Sequence, residues 1–92
     1  MQVNVHYTTQ LKAALGMAEE VVELPSSAGV RNLLQCLAAR HAAPFGELVL
    51  TPDGELLPTI LLCVNDQQVD PAADDPLPEG ATVTFLSAIS GG

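Results

Sequence analysis

An α+β fold, a mixed sheet with one main helix packed across it, is what this 92-residue chain predicts. Three observations predict it. Short segments near both ends alternate apolar and polar residues with a period of two, as strands with one buried face do. Between them lies a stretch whose apolar residues recur at helical spacing. The chain is also 48% hydrophobic, which suits one compact domain with a single core. Only Tyr7, Phe45 and Phe85 are aromatic, so Val, Leu, Ile and Ala must fill most of that core.

The elements follow in order. Val3, Val5 and Tyr7 alternate with Gln2, Asn4 and His6 and mark a first strand. Leu11 to Met17, carrying Gly16, reads as a loop or one helical turn. Glu20 to Leu24 alternates again, with Val22 and Leu24 on one face and Val21 and Glu23 on the other, so the two strands make an opening hairpin. Pro25 ends the second strand, and Ser26 or Ser27 is placed to accept hydrogen bonds from the free amides of a following helix. That helix, Ser27 to His41, carries Val30, Leu33, Leu34, Leu37 and His41 as one stripe, with Arg31, Gln35 and Arg40 towards the other side. Arg40 and His41 in the last turn suit the helix dipole. Pro44 closes the segment.

Phe45 to Leu50 reads equally as a short helix or as irregular packing. Pro52-Asp53-Gly54-Glu55 is a turn signal. Thr59 to Val64 is almost continuously apolar, the pattern of a strand covered on both faces or lying centrally. Asn65-Asp66 turns the chain into a short returning strand, Gln67 to Val69. A loop rich in Pro, Asp and Ala runs from Pro71 to the tight turn Pro78-Glu79-Gly80. Thr82 to Ser87 alternates, with Val83 and Phe85 inward and Thr84 and Leu86 outward. The order is ββαβ(β)β. If the last strand returns beside the first and parallel to it, the layout is a β-grasp, the ubiquitin-like arrangement. Residues 1–86 then form the domain and residues 87–92 a flexible C-terminal tail.

Charge narrows the function. Eleven carboxylates against Lys12, Arg31 and Arg40 give a net charge of −8. Nucleic-acid binding needs a basic footprint that this chain lacks, and anionic membrane surfaces are disfavoured for the same reason. The acid excess fits docking on a basic protein surface or serves solubility alone. Met1 to Asn4 lacks the basic start and apolar stretch of a signal peptide, and the run Ile60 to Val64 is too short to cross a bilayer. The expected compartment is the cytoplasm. Cys36 and Cys63 stand apart, with no metal or C-x-x-C spacing, and read as two buried thiols acting as small hydrophobes.

Nothing in the sequence supports catalysis by the chain itself. His6 and His41 have no nucleophile or carboxylate beside them in a known motif. Asp74-Asp75 lacks the regular oxygen spacing of a cation loop. Ser90 lacks the flanking glycines of a nucleophile elbow. The informative feature is the end, Ser90-Gly91-Gly92, which follows directly on a β-like run. Two residues without side chains enter a narrow channel and present the Gly92 carboxylate as a chemical handle. By chance about one chain in two hundred ends this way, so the weight of the tail comes from the domain before it.

Three stretches carry a family likeness: Val30-Arg31-Asn32-Leu33-Leu34, Ile60-Leu61-Leu62-Cys63-Val64-Asn65, and Leu77 to Leu86 running into Ser87-Ala88-Ile89-Ser90-Gly91-Gly92. Together they resemble the MoaD/ThiS sulfur carriers, in particular the small subunit of molybdopterin synthase. The likeness spans essentially the whole chain. Family members often carry Pro-Pro where Ser87-Ala88 stands here.

The resemblance implies a β-grasp carrier that is not itself an enzyme and binds no cofactor or metal. Its reactive site would be Gly92 with Gly91. A terminal carboxylate, with an ordinary pKa of about 3.3–3.7, is ionised at neutral pH and is a poor acyl electrophile. An E1-like adenylyltransferase of the MoeB/ThiF type would use ATP and Mg²⁺ to convert it to an acyl-adenylate. Sulfur, typically from a cysteine persulfide, would displace AMP and leave a thiocarboxylate. A sulfur-acceptor enzyme such as the molybdopterin synthase large subunit would consume it. Leu86, Ile89 and Phe85 are the partner contacts that the resemblance implies. Three alternatives stay open: a carrier for thiamine, cysteine or secondary-metabolite synthesis, a ubiquitin-like protein modifier, and an interaction module whose Gly-Gly is accidental.

Overall fold

Two neighbouring parallel strands drawn from opposite ends of the chain organise the structure. In the computed structural model, which describes residues 1–73 and 75–87, β1 (Gln2–Tyr7) is an inner strand of the sheet. It pairs antiparallel with β2 (Glu19–Glu23) from Gln2↔Glu23 to His6↔Glu19. On its other side it pairs parallel with β5 (Thr82–Ser87), from Asn4↔Thr82 to Tyr7↔Phe85. β3 (Ile60–Val64) lies antiparallel to β5, and β4 (Gln67–Gln68) borders β3. The order β2-β1-β5-β3-β4 is a mixed five-stranded sheet. Parallel neighbours need a long crossover, and here it contains the main helix α2 (Val30–His41). This is the β-grasp, ubiquitin-like arrangement that the pattern predicts.

Side-chain parity places the core. Val3, Val5 and Tyr7 are buried, as are Val22, Leu24, Val83 and Phe85, all on the face that meets α2. From α2 come Val30, Leu33, Leu34 and Leu37, also buried. Each such side chain contributes about 1.5–3 kcal/mol when fully removed from water. Val21, of opposite parity to Val22, is 52% exposed.

Several local expectations needed the tertiary structure to correct or settle them. Thr9–Leu15 forms a two-turn helix, α1, rather than a loop or single turn. Leu11 is buried beneath it, and Gly16 at φ 71° closes it with a hydrogen bond from its N–H to the Lys12 carbonyl at 3.0 Å. α2 starts at Val30, not Ser27. Ser27 has φ 67° and its hydroxyl donates to the Ser26 carbonyl, so neither serine caps the helix. Gly29 stands at the cap, and its N–H donates to Asn32 Oδ1 at 3.2 Å. Phe45 to Leu50 resolves as helix, α3 (Ala43–Val49), because Phe45 and Val49 four residues apart both reach the core. Pro44 therefore opens α3 as much as it closes α2. It sits in the first turn, where its missing N–H leaves no bond unmade.

β3 lies inside the sheet between β5 and β4, as one of the two expectations has it, but it is not covered on both faces. Ile60 and Leu62 are buried, whereas Leu61 and Cys63 are only half-buried, since helices cover one side of the sheet. Cys36 and Cys63 are free thiols, each half-buried rather than buried. Asn65 and Asp66, at φ 51° and 69°, form the two-residue turn into β4, a conformation that suits the right-handed twist of a hairpin. Among the described residues no helix is long and apolar enough to cross a membrane.

Candidate functional site

The candidate site is the C-terminal end of β5, where the chain leaves the sheet. Leu86 faces outward from β5 and is half-buried, and its register partner on β3 is Leu61. Cross-strand apolar pairs of this kind shield one another and stabilise the strand end. The adjoining row reads Glu19, His6, Thr84, Cys63 from β2 to β3. Within it His6 Nε2 lies 3.6 Å from Glu19 Oε2, both well exposed, and pairs of this kind contribute little to stability. The open face thus carries an apolar pair at the tail end and polar groups behind it. Leu61 was not singled out in the sequence, because its partnership with Leu86 exists only once β3 and β5 pair.

The other predicted site residues fare differently. Ile89, Gly91 and Gly92 lie outside the described residues, as do Asp74 and Ser90. β5 runs through Ser87, the first residue of the expected tail. Phe85 corrects the expectation of a partner contact: its side chain is 0% exposed. Its ring packs 5.9 Å from Tyr7 and 5.8 Å from Phe45, centroid to centroid. It is a core residue directly behind the outward-facing Leu86.

Behind this strand end sits a polar cluster that the sequence reading missed. Glu20, with its side chain 10% exposed, accepts three hydrogen bonds: from Tyr7 Oη at 2.5 Å, Arg40 Nη1 at 2.7 Å and His41 Nε2 at 2.5 Å. Burial pushes the Glu20 carboxyl up, but the bonds from Tyr7, Arg40 and His41 outweigh it and hold Glu20 below the usual carboxylate range. Tyr7 is pushed up, first by burial and then by the bond to Glu20 and its charge. Arg40 is also raised, chiefly by its bond to Glu20. Tyr7, Arg40 and His41 converge on one carboxylate, with Arg40 Nη1 also donating to the Val21 carbonyl at 3.3 Å, so the cluster acts as an anchor. The sequence did hold a signal. Glu20 shares the inward parity of Val22 and Leu24, and His41 ends the apolar stripe of α2, so two polar groups were aimed at the same interior.

Among the described residues no group of three or more His, Cys, Asp or Glu side chains is placed to hold a metal ion. No buried side-chain polar atom among them lacks a partner.

The mixed five-stranded sheet, with its first and last strands parallel and α2 in the crossover, defines a ubiquitin-like protein. The ThiS family model matches residues 5–92. The chain belongs to the ThiS family of ubiquitin-like sulfur carriers, small non-catalytic proteins that act with partner enzymes. Among solved structures it is similar to SAMP1 from Haloferax volcanii, with TM-score 0.85 and 22% identity over 100% of both chains, a likeness of fold. It is similar to a protein assigned as molybdopterin converting factor, subunit 1, from Pyrococcus furiosus, with TM-score 0.77 and 27% identity over 97% of this chain and 99% of that one. A chain of the Amycolatopsis orientalis BexX/CysO complex matches with TM-score 0.72 and 28% identity over 98% and 99%. No curated protein matches the sequence significantly.

Proposed function

We propose that this chain carries sulfur on the Gly92 carboxylate for molybdopterin synthesis in the cytoplasm. The observation that carries the reading is the family match, which runs through Gly91-Gly92 to residue 92. An E1-like adenylyltransferase of the MoeB/ThiF type is the activating partner. A carboxylate oxygen of Gly92 attacks the α-phosphorus of Mg²⁺-bound ATP, and pyrophosphate leaves. A cysteine persulfide then attacks the acyl-adenylate carbonyl and AMP leaves; a second thiol cleaves the resulting acyl disulfide, which frees the thiocarboxylate and leaves a cysteine disulfide. The molybdopterin synthase large subunit is the acceptor, a choice supported by the 27% identity to the Pyrococcus furiosus protein. The Leu61–Leu86 pair and Ile89 form the apolar contact with these partners, beside the emerging tail.

A second reading has comparable support. The chain 28% identical to this one belongs to a complex with a different partner, BexX, so the acceptor on this reading lies outside molybdopterin synthesis.

The test is ATP–pyrophosphate exchange with a MoeB/ThiF-type enzyme, followed by mass spectrometry of the carrier. Deleting Gly92 moves the terminal carbonyl by about 3.3–3.6 Å. A misplacement of even about 1 Å costs on the order of a hundredfold in rate, so exchange is expected to vanish. Exchange at the full rate without Gly92 overturns the carrier reading. Incubation of the thiocarboxylate with a molybdopterin synthase large subunit and its pterin precursor substrate then separates the two acceptors: consumption supports the first reading, and persistence supports the second.

A further inference from the structure

We infer that Glu20 is a positioning residue for the tail: through Tyr7 and His41 it clamps the last row at which β5 is held from both sides. The sheet register supplies the reason. β1 ends at Tyr7, which pairs with Phe85. Among the described residues, β5 beyond Phe85 pairs only with β3, through Leu86↔Leu61 and Ser87↔Ile60. The Tyr7–Phe85 row is therefore the hinge line from which the tail end of β5 projects.

Three links fasten that row. Thr8 Oγ1 donates to the Phe85 carbonyl at 2.9 Å. The Tyr7 ring packs on the Phe85 ring, and its hydroxyl is fixed by Glu20. The His41 ring, held by the same carboxylate, lies 6.1 Å from Tyr7 and 6.3 Å from Phe45, which in turn packs on Phe85. Glu20 thus joins β1, β2 and the end of α2 behind one residue of β5. Bonds to an ionised acceptor are shorter and stronger than neutral ones, and a mostly buried carboxylate stripped of them would be costly. Both facts favour a single arrangement of the cluster.

The functional half of this inference rests on the sulfur-carrier reading. A tail that leaves a fixed strand end places its carboxylate in fewer positions, and a partner then binds a larger competent fraction of the population. When Glu20 loses its charge, Tyr7 and His41 no longer brace the Phe85 row from which Leu86 and Ser87 project, and the competent fraction falls.

The groups facing Glu20 are the Tyr7 hydroxyl from β1 and the Arg40 guanidinium and His41 imidazole from α2. Cys36 of α2 is close enough to act on Tyr7 and Arg40. Because the folded carboxyl sits below its ordinary value of 4.5, the clamp is whole above that pH and releases as pH falls through the folded value.

The test is amide hydrogen exchange, read as protection factors between pH 3 and 7 for the wild type, Glu20→Gln and Tyr7→Phe. For Glu20→Gln, protection at Leu61 and Leu86 is expected to fall about tenfold further than at Val5 and Val22. The acid-induced loss at Leu61 and Leu86 seen in the wild type is expected to disappear. Tyr7→Phe removes only the hydroxyl and is expected to show the same local loss, and it reads the proposal should Glu20→Gln fail to fold. Uniform loss across the sheet, no loss, or an unchanged acid profile in Glu20→Gln overturns the assignment. With the adenylating enzyme, Glu20→Gln is expected to lower kcat/KM about tenfold while the thiocarboxylate still forms. A wild type that is never activated defeats the carrier reading and leaves the exchange result standing.

Discussion

Replacing Phe85 by alanine separates a core role from an interface role. The ring is 0% exposed on a strand flanked by β1 and β3 and touches Tyr7 and Phe45. Truncating a buried Phe costs about 3–5 kcal/mol. The two ring pairs, each worth about 0.5–1.5 kcal/mol beyond area burial, place this site at the upper end of that range. A chain of 92 residues at about 0.05–0.15 kcal/mol per residue has a total stability of about 5–14 kcal/mol. The substitution therefore removes a third or more of it, and lowers Tm by about 20–40 °C at 4–8 °C per kcal/mol. The assay is urea unfolding followed by circular dichroism, where the midpoint should fall with the slope unchanged. Leu86→Ala, at a half-buried outward position, should cost about 1 kcal/mol by the same bookkeeping. If Phe85→Ala stays within about 1 kcal/mol of the wild type while partner binding is lost, Phe85 acts at the surface and the core assignment is wrong.

Leu86→Asp should leave the circular dichroism spectrum unchanged and weaken binding to the adenylating enzyme by several kcal/mol, the cost of an unpaired charge in a dry contact; isothermal titration checks it, and full affinity moves the interface elsewhere. Leu37→Ala, at a position that is 0% exposed, should destabilise by about 2–5 kcal/mol in the same urea assay. Gly80→Ala meets no atom within 4 Å, so its cost is the backbone strain of φ +72° alone, about 1–2 kcal/mol. In acid, the Glu20 contribution is complete above the ordinary carboxyl value of 4.5 and is lost as pH falls through the lower folded value. Wild type should therefore lose more stability than Glu20→Gln on going from pH 6 to 3, and parallel curves would refute the linkage.

What the sequence determined by itself was local or set by period. Val3, Val5 and Tyr7, or Leu33, Leu34 and Leu37, declare their buried faces because backbone geometry repeats every two or 3.6 residues whatever lies opposite. The turns at Pro52 to Glu55, Asn65-Asp66 and Pro78 to Gly80 were legible for the same reason. Gly91-Gly92 suggested a chemical handle from sequence alone, with its weight taken from the domain before it, and it lies outside the described residues. The tertiary structure decided whatever depends on residues distant in the chain. Helix α2 starts at Val30 because Ser27 is turned to positive φ, which a capping pattern does not reveal. β3 has an open face because helices cover only one side of the sheet, and hydropathy alone does not distinguish a central strand from a one-sided one. Leu61 joins Leu86 only after β3 pairs with β5, and Glu20 gathers Tyr7, Arg40 and His41 only after β2 pairs with β1 and α2 crosses them. Strand order is a property of chain closure over tens of residues, and periodicity carries no record of it. Phe85 shows the boundary most clearly: its inward parity was readable in the sequence, but the aromatic neighbours that make it core came from β1 and α3.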